Sequence, residues 1–114
     1  MRELENPIVQ RSIQLGVEVM VLAKNQKLDF AIKNQLLRSG TSVGANIMEA
    51  QNASSKRDFY NKMKIAAKEL NEFKYWMIIL ERSNTIEIPN KITLLITENA
   101  KMLNSILSTV KSKI

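Results

Sequence analysis

Phe59, Met63, Ala66, Leu70, Phe73, Met77 and Leu80 recur at spacings of 4, 3, 4, 3, 4 and 3. Three heptads in unbroken phase commit this segment to a helix whose single apolar seam packs against other helices of a bundle. Gln51 to Ser55 reads as the turn before it, where Ser54 or Ser55 can cap the helix and Asp58 falls in its first turn.

The preceding segment poses a conflict between propensity and phase. Judged by propensity, SGTSVGAN (Ser39 to Asn46) is a loop, since Gly, Ser, Thr and Asn all disfavour helix interiors. Yet Leu28, Ile32, Leu36, Ser39, Val43, Ile47 and Ala50 keep one helical phase straight through it. The phase predicts a continuous second helix from about Asp29, whose small residues let a partner backbone come close. A local kink at Gly40 or Gly44 is the alternative.

The flanking segments complete a set of four. Asn6-Pro7 reads as an N-cap followed by Pro at the first helical position. Val9, Ile13, Gly16, Met20 and Ala23 then form one stripe, and Ile8, Leu15, Val19 and Leu22 an adjacent one. An apolar arc that wide packs on more than one neighbour. Polar Asn25 to Lys27 closes this helix, and Ser83 to Glu87 closes the third. Pro89 opens a fourth carrying Ile92, Leu95, Asn99, Met102, Ile106 and Val110, with Leu103 beside them. Asn99, inside that stripe, either pairs with a polar group across the core or fixes register. Four helices with short connections predict an all-α, antiparallel up-down-up-down four-helix bundle, one domain over residues 1–114.

Two absences bound the chemistry. There is no Cys, which excludes disulfides, thiolate catalysis and thiolate metal sites, and no His, the side chain most used for proton transfer near neutral pH and for metals. A di-metal carboxylate bundle would need Glu-x-x-His pairs. Glycines 16, 40 and 44 make no phosphate loop, and Ser39 and Ser42 lack an imidazole partner. Glu49, near Asn46 on its helix, reads as a core-edge ion pair with Arg38 or Lys56 rather than as an acid–base catalyst. Arg38, Asn46, Glu49 and Asn99 are thus the expected structural polar residues. No enzyme, cofactor or metal is expected. Neither a signal peptide nor a membrane span is legible, and the expected location is the cytoplasm.

The net charge of +6 is unevenly spread. Residues 24–38 carry +3 and residues 54–74 another +3, while the other cations and acids cancel. At about 100° per residue, Arg57, Lys64, Lys68, Tyr75 and Arg82 line up opposite the third helix's seam, with Asn61 and Asn71 between them. A row of cations with amides and one aromatic suits a phosphate backbone; the alternative is an ordinary solvated face that keeps the protein soluble. Of the six aromatics, Phe59 and Phe73 belong to the seam, so recognition would run through the backbone with little base stacking. Ile65, Trp76 and Ile79 are apolar residues the seam does not need. They are the expected contact with another subunit, unless Trp76 packs over the fourth helix of its own chain.

QLLRSGTSVGANIMEAQ, followed by SSKRDFYNKMKIAAKELNEFKYWMIIL, resembles the four-helix-bundle family of 23S rRNA intervening-sequence proteins. The likeness is carried by Gln35, Leu36, Arg38, Ser42, Val43, Ala45, Asn46, Ile47 and Glu49. It continues through Ser55, Phe59, Lys68, Glu69, Glu72 and the Tyr75-Trp76 pair. It covers about half the chain closely; the first and fourth helices agree in pattern and length. The resemblance implies a left-handed antiparallel bundle, a second helix continuous through SGTSVGAN, assembly into a ring-like homopentamer, and no enzymatic activity. It implies a frame encoded within an rRNA gene's intervening sequence or elsewhere in a bacterial genome. It also implies kinship with accessory variability proteins that assist the reverse transcriptases of diversity-generating retroelements, where a basic surface meets nucleic acid. Met48 stands where many relatives have an acidic or small residue, which argues against an acidic cluster there. The sequence therefore predicts a homo-oligomer that binds RNA or DNA–RNA hybrids through basic helix faces. An adaptor docking a partner enzyme such as a reverse transcriptase is the second reading.

Overall fold

The structure, a computed structural model describing residues 2–114, contains a 3₁₀ turn at Arg2–Glu5 and four helices: α1 (Pro7–Asn25), α2 (Phe30–Ala50), α3 (Lys56–Arg82) and α4 (Asn90–Lys111). Among the described residues there are no strands. Each helix packs on two others, α1 on α2 and α4, α3 on α2 and α4, so that α1 and α3 lie diagonally across the bundle. Asn6 of α1's cap bonds Gln51 at the end of α2, while Val19 lies against Gly40. Arg11 meets Glu98 and Glu18 meets Lys91. Both α2 and α4 thus run opposite to α1. The four-helix bundle expected from the heptads is what forms, 44 × 27 × 24 Å in extent.

SGTSVGAN lies within α2, and the helix is continuous. Two features reconcile it with its composition. The hydroxyls of Ser39, Thr41 and Ser42 donate to the carbonyls of Gln35, Leu37 and Arg38, and Asn46 Nδ2 donates to Ser42, so groups that would compete with a helix are satisfied within it. The glycines also set the α1–α2 spacing. A Cβ at Gly40 would stand 2.6 Å from a Val19 methyl and 3.2 Å from Phe73; one at Gly44 would meet the Ser12 hydroxyl at 3.3 Å.

Capping follows the sequence. Asn6 accepts from the Ile8 N–H and Ser55 from the Asp58 N–H. α3 ends where Asn84 takes a left-handed φ of 58°, with the Thr85 N–H bonded to Leu80 O and the Asn84 N–H to Glu81 O. This is the paired closure that satisfies the last carbonyls of a helix.

Two expected stripes shift. On α1 the buried line is Ile8, Ser12, Leu15, Val19 and Leu22, with Val9 and Ala23 at its edges, whereas Ile13 and Met20 are exposed. Ser12 is small enough to hold the seam because its hydroxyl is satisfied by Val9 O at 2.9 Å. On α4 the buried line is Ile92, Leu95, Ile96, Asn99 and Leu103, leaving Met102, Ile106 and Val110 half-buried. A straight helix of 3.6 residues per turn drifts off a strict heptad line, and α4 follows the drift.

Candidate functional site

α3 is the longest helix, and its buried seam of Met63, Ala66, Leu70, Phe73, Met77 and Leu80 fixes which side faces water. Arg57, Lys64, Lys68, Tyr75 and Arg82 are all exposed on that side, together with Asn61 and Asn71. At 1.5 Å per residue, Arg57 and Arg82 stand about 37 Å apart along the axis. None of the four cations has an ion-pair partner among the described residues.

Three of the four acids of α3 are tied to cations away from this face; the fourth, Glu81, is exposed and unpaired among the described residues, about 120° around the helix from the stripe. Arg38 of α2 donates to Glu69 at 2.9 Å and also pairs with Glu72, tying both carboxylates to the α2 side. Asp58 pairs with Lys62 at 2.9 Å. The Lys62 hydrogen bond, seconded by the Ser54 N–H, holds the Asp58 carboxyl below the usual carboxylate range. The exposed stripe therefore keeps an uncompensated positive field.

α4 adds residues that the sequence reading left out. A shallow depression of about 640 Å³ between α3 and α4 is lined by Asn61, Lys64, Lys68 and Asn71 from α3 and by Asn104 from α4, over Ile65, Ala67 and Leu107. Next to it, Lys74 and Glu81 of α3 and Lys101 of α4 rim a second groove whose floor includes Met77, Ile88 and Ile96. Lys101 and Asn104, three residues apart on α4, were the available signal. Only the pairing of α4 with α3 gives it meaning.

The other expected site residues take separate places. Ile65 is exposed, while Ile79 and Trp76 are half-buried; Trp76 packs against its own chain's core and edge-on to Tyr75, ring centroids 6.5 Å apart. Arg38, Asn46, Glu49 and Asn99 do not gather into one polar core. Asn99 alone is fully buried, Asn46 is half-buried, and Arg38 and Glu49 are exposed. Glu49 makes no ion pair among the described residues; it sits three turns, about 16 Å, along α2 from Arg38, which pairs across to α3 instead. Asn99 Nδ2 donates to Leu95 O at 2.8 Å in its own helix and to Arg11 O at 3.2 Å on α1. Its Oδ1 has no hydrogen-bond partner among the described residues.

Among the described residues, no cluster of His, Cys, Asp or Glu is placed to hold a metal, and no helix is long and apolar enough to cross a membrane. The architecture and surface define a class: an all-α four-helix bundle with one long helix displaying unpaired cations. Residues 4–105 match the model of the 23S rRNA-intervening sequence protein family, and the chain belongs to that family. A crystal structure of a protein of unknown function from the S23 ribosomal protein family, from Bacteroides thetaiotaomicron, is 40% identical. It superposes with a TM-score of 0.79 over 88% of this chain and 97% of that one. No functionally curated protein matches.

Proposed function

We propose that the protein is a non-enzymatic homo-oligomer of the cytoplasm that binds RNA, or DNA–RNA hybrids, through the outer face of α3. The observation that carries this reading is the division of charge on α3. Glu69 and Glu72 are held to α2 by Arg38, while Arg57, Lys64, Lys68 and Arg82 stand on one line without ion-pair partners among the described residues. Such a line neutralises successive phosphates and releases their counterions. Asn61, Asn71 and Asn104 supply hydrogen bonds to phosphate and sugar without selecting a sequence. In a ring-like homopentamer the stripe repeats five times, so individually weak contacts add through avidity.

Fluorescence anisotropy with a structured rRNA fragment, at several salt concentrations and with duplex DNA as control, tests the proposal. The expected result is submicromolar binding to the RNA with a steep negative slope of log K against log salt. Absence of binding near physiological salt overturns it and transfers the basic face to an acidic protein partner, such as a reverse transcriptase.

A further inference from the structure

The groove between the C-terminal half of α3 and the N-terminal half of α4 has a volume of about 320 Å³ and an aliphatic floor, Met77, Ile88 and Ile96, all buried. Its charges are divided along its length. Leu107 of α4 lines the depression of residues 61–71, whereas Thr93 and Ile96 line the groove of residues 74–81, so α4 runs back along α3. Lys101 therefore shares one end of the groove with Lys74. Glu81 stands toward the other end, two turns or about 10.5 Å along α3 from Lys74. None of these three charges has an ion-pair partner among the described residues. Asn104 lines both this groove and the depression beside Lys64 and Lys68, so the cationic end opens toward the α3 stripe.

We infer that this groove receives one unpaired guanosine of the bound RNA, its phosphate at Lys74 and Lys101 and its base edge at Glu81. The inference rests on the RNA-binding reading above and names the form of RNA that this face takes. Charge complementarity selects the occupant. A fatty acid would satisfy the two lysines but lay its alkyl end against the Glu81 carboxylate, and an acidic peptide would bring that carboxylate a second negative charge. A nucleotide carries an anion at one end, N–H donors at the other and flat apolar faces between, over a length comparable to the two turns that separate Lys74 from Glu81. Among the four bases, guanine alone presents two adjacent donors, N1–H and the N2 amine, which a carboxylate accepts with both of its oxygens. Adenine and cytosine offer one amine beside an acceptor, and uracil one N–H between two carbonyls. In a duplex that edge is already used in pairing, so the guanosine comes from a loop or a single strand, where proteins read RNA bases. Thr97, midway along the groove, donates its hydroxyl proton to Thr93 O at 3.1 Å and keeps lone pairs for a ribose hydroxyl.

Fluorescence anisotropy with a short labelled oligouridine, with and without one central guanosine, tests this on the full-length chain and on Glu81→Ala at matched helix content. Position 81 is exposed, and alanine suits a helix. The wild type is expected to bind the guanosine-bearing strand about tenfold more tightly than the all-uridine strand, the contribution of one bidentate base contact. Inosine, which lacks the N2 amine, is expected to lose most of that gain. Glu81→Ala is expected to abolish the preference without weakening the all-uridine strand, since the variant is also more basic. Equal wild-type affinity for the two strands would overturn the inference while leaving the cation stripe in place. So would a preference that survives Glu81→Ala, because Glu81 would then act only through its charge. An equal preference when the guanosine is paired in a duplex would overturn the unpaired state, and guanosine monophosphate competing as well as the strand would mark a free-nucleotide site instead. No binding of any strand would sink the RNA-binding reading itself.

Discussion

Two residues show how the core is specified atom by atom. Gly40 is in a helix interior, where glycine normally weakens the helix relative to alanine. Here an added methyl would meet both Val19 methyls inside 3 Å, with Val19 fully buried and unable to move aside. Gly40→Ala is therefore expected to lower stability by about 1–3 kcal/mol, the usual cost of overpacking, against its better intrinsic propensity. Urea denaturation reads the sign directly, and a gain in stability would show that α1 and α2 can separate cheaply. Asn99 poses the reverse case. Leucine has the same number of side-chain heavy atoms, and the Arg11 and Leu95 carbonyls sit within helices whose own N–H groups reach them. Asn99→Leu removes the unpaired buried Oδ1 and is expected to raise stability by about 1 kcal/mol. A loss of similar size in the same titration would mean that the bond to Arg11 O outweighs the orphaned oxygen. The sequence marked Asn99 as anomalous but not its partner, because a backbone carbonyl on another helix leaves no trace in composition.

At the level of elements, α3 is delimited by local chemistry at both ends, Ser55 and Asp58 at its start and Asn84 at its stop. The depressed pKa of Asp58 gives its start a pH signature. A carboxyl whose folded-state pKa lies below its unfolded value contributes stability that is complete above the unfolded pKa, near pH 4, and is lost as pH falls through the folded one. Asp58→Asn is thus expected to lower the Tm at pH 6 and to fall less steeply than wild type between pH 5 and pH 2. Parallel slopes in thermal scans of the two proteins would show that the Lys62 and Ser54 contacts add nothing to folding. Helix number, caps and the α3 seam were legible because capping and heptad phase are local properties of the chain. The α1 seam was misread at Ile13 and Met20 because Ser12, a polar residue by composition, occupies the core through a hydrogen bond to Val9 O. The phase through SGTSVGAN was read correctly where propensity pointed the other way, since the small residues serve the approach of α1 rather than a turn.

On the scale of the whole molecule, what matters is which charges are already spent against one another. The cation line on α3 could be drawn from residue spacing alone. That Arg38 reaches across to Glu69 and Glu72, and that α4 brings Lys101 and Asn104 beside Lys74 and Lys68, depends on packing between helices. Net charge and local stripe make different predictions for binding, and they can be separated. Lys64→Glu with Lys68→Glu changes the chain's charge by the same amount as Lys111→Glu with Lys113→Glu, and all four positions are exposed. If polyanion binding were a property of net charge, the two double variants would lose affinity equally. If the α3 stripe is the contact, the Lys64/Lys68 variant alone weakens RNA binding, and its log K against log salt slope flattens by about 1 for each phosphate contact removed. Repetition around an assembly would enlarge the loss in affinity, since every subunit gives up two contacts at once. The Lys111/Lys113 variant is expected to keep a slope close to wild type. Equal losses in the two variants, at matched helix content, would leave the α3 face with no role beyond its share of the total charge.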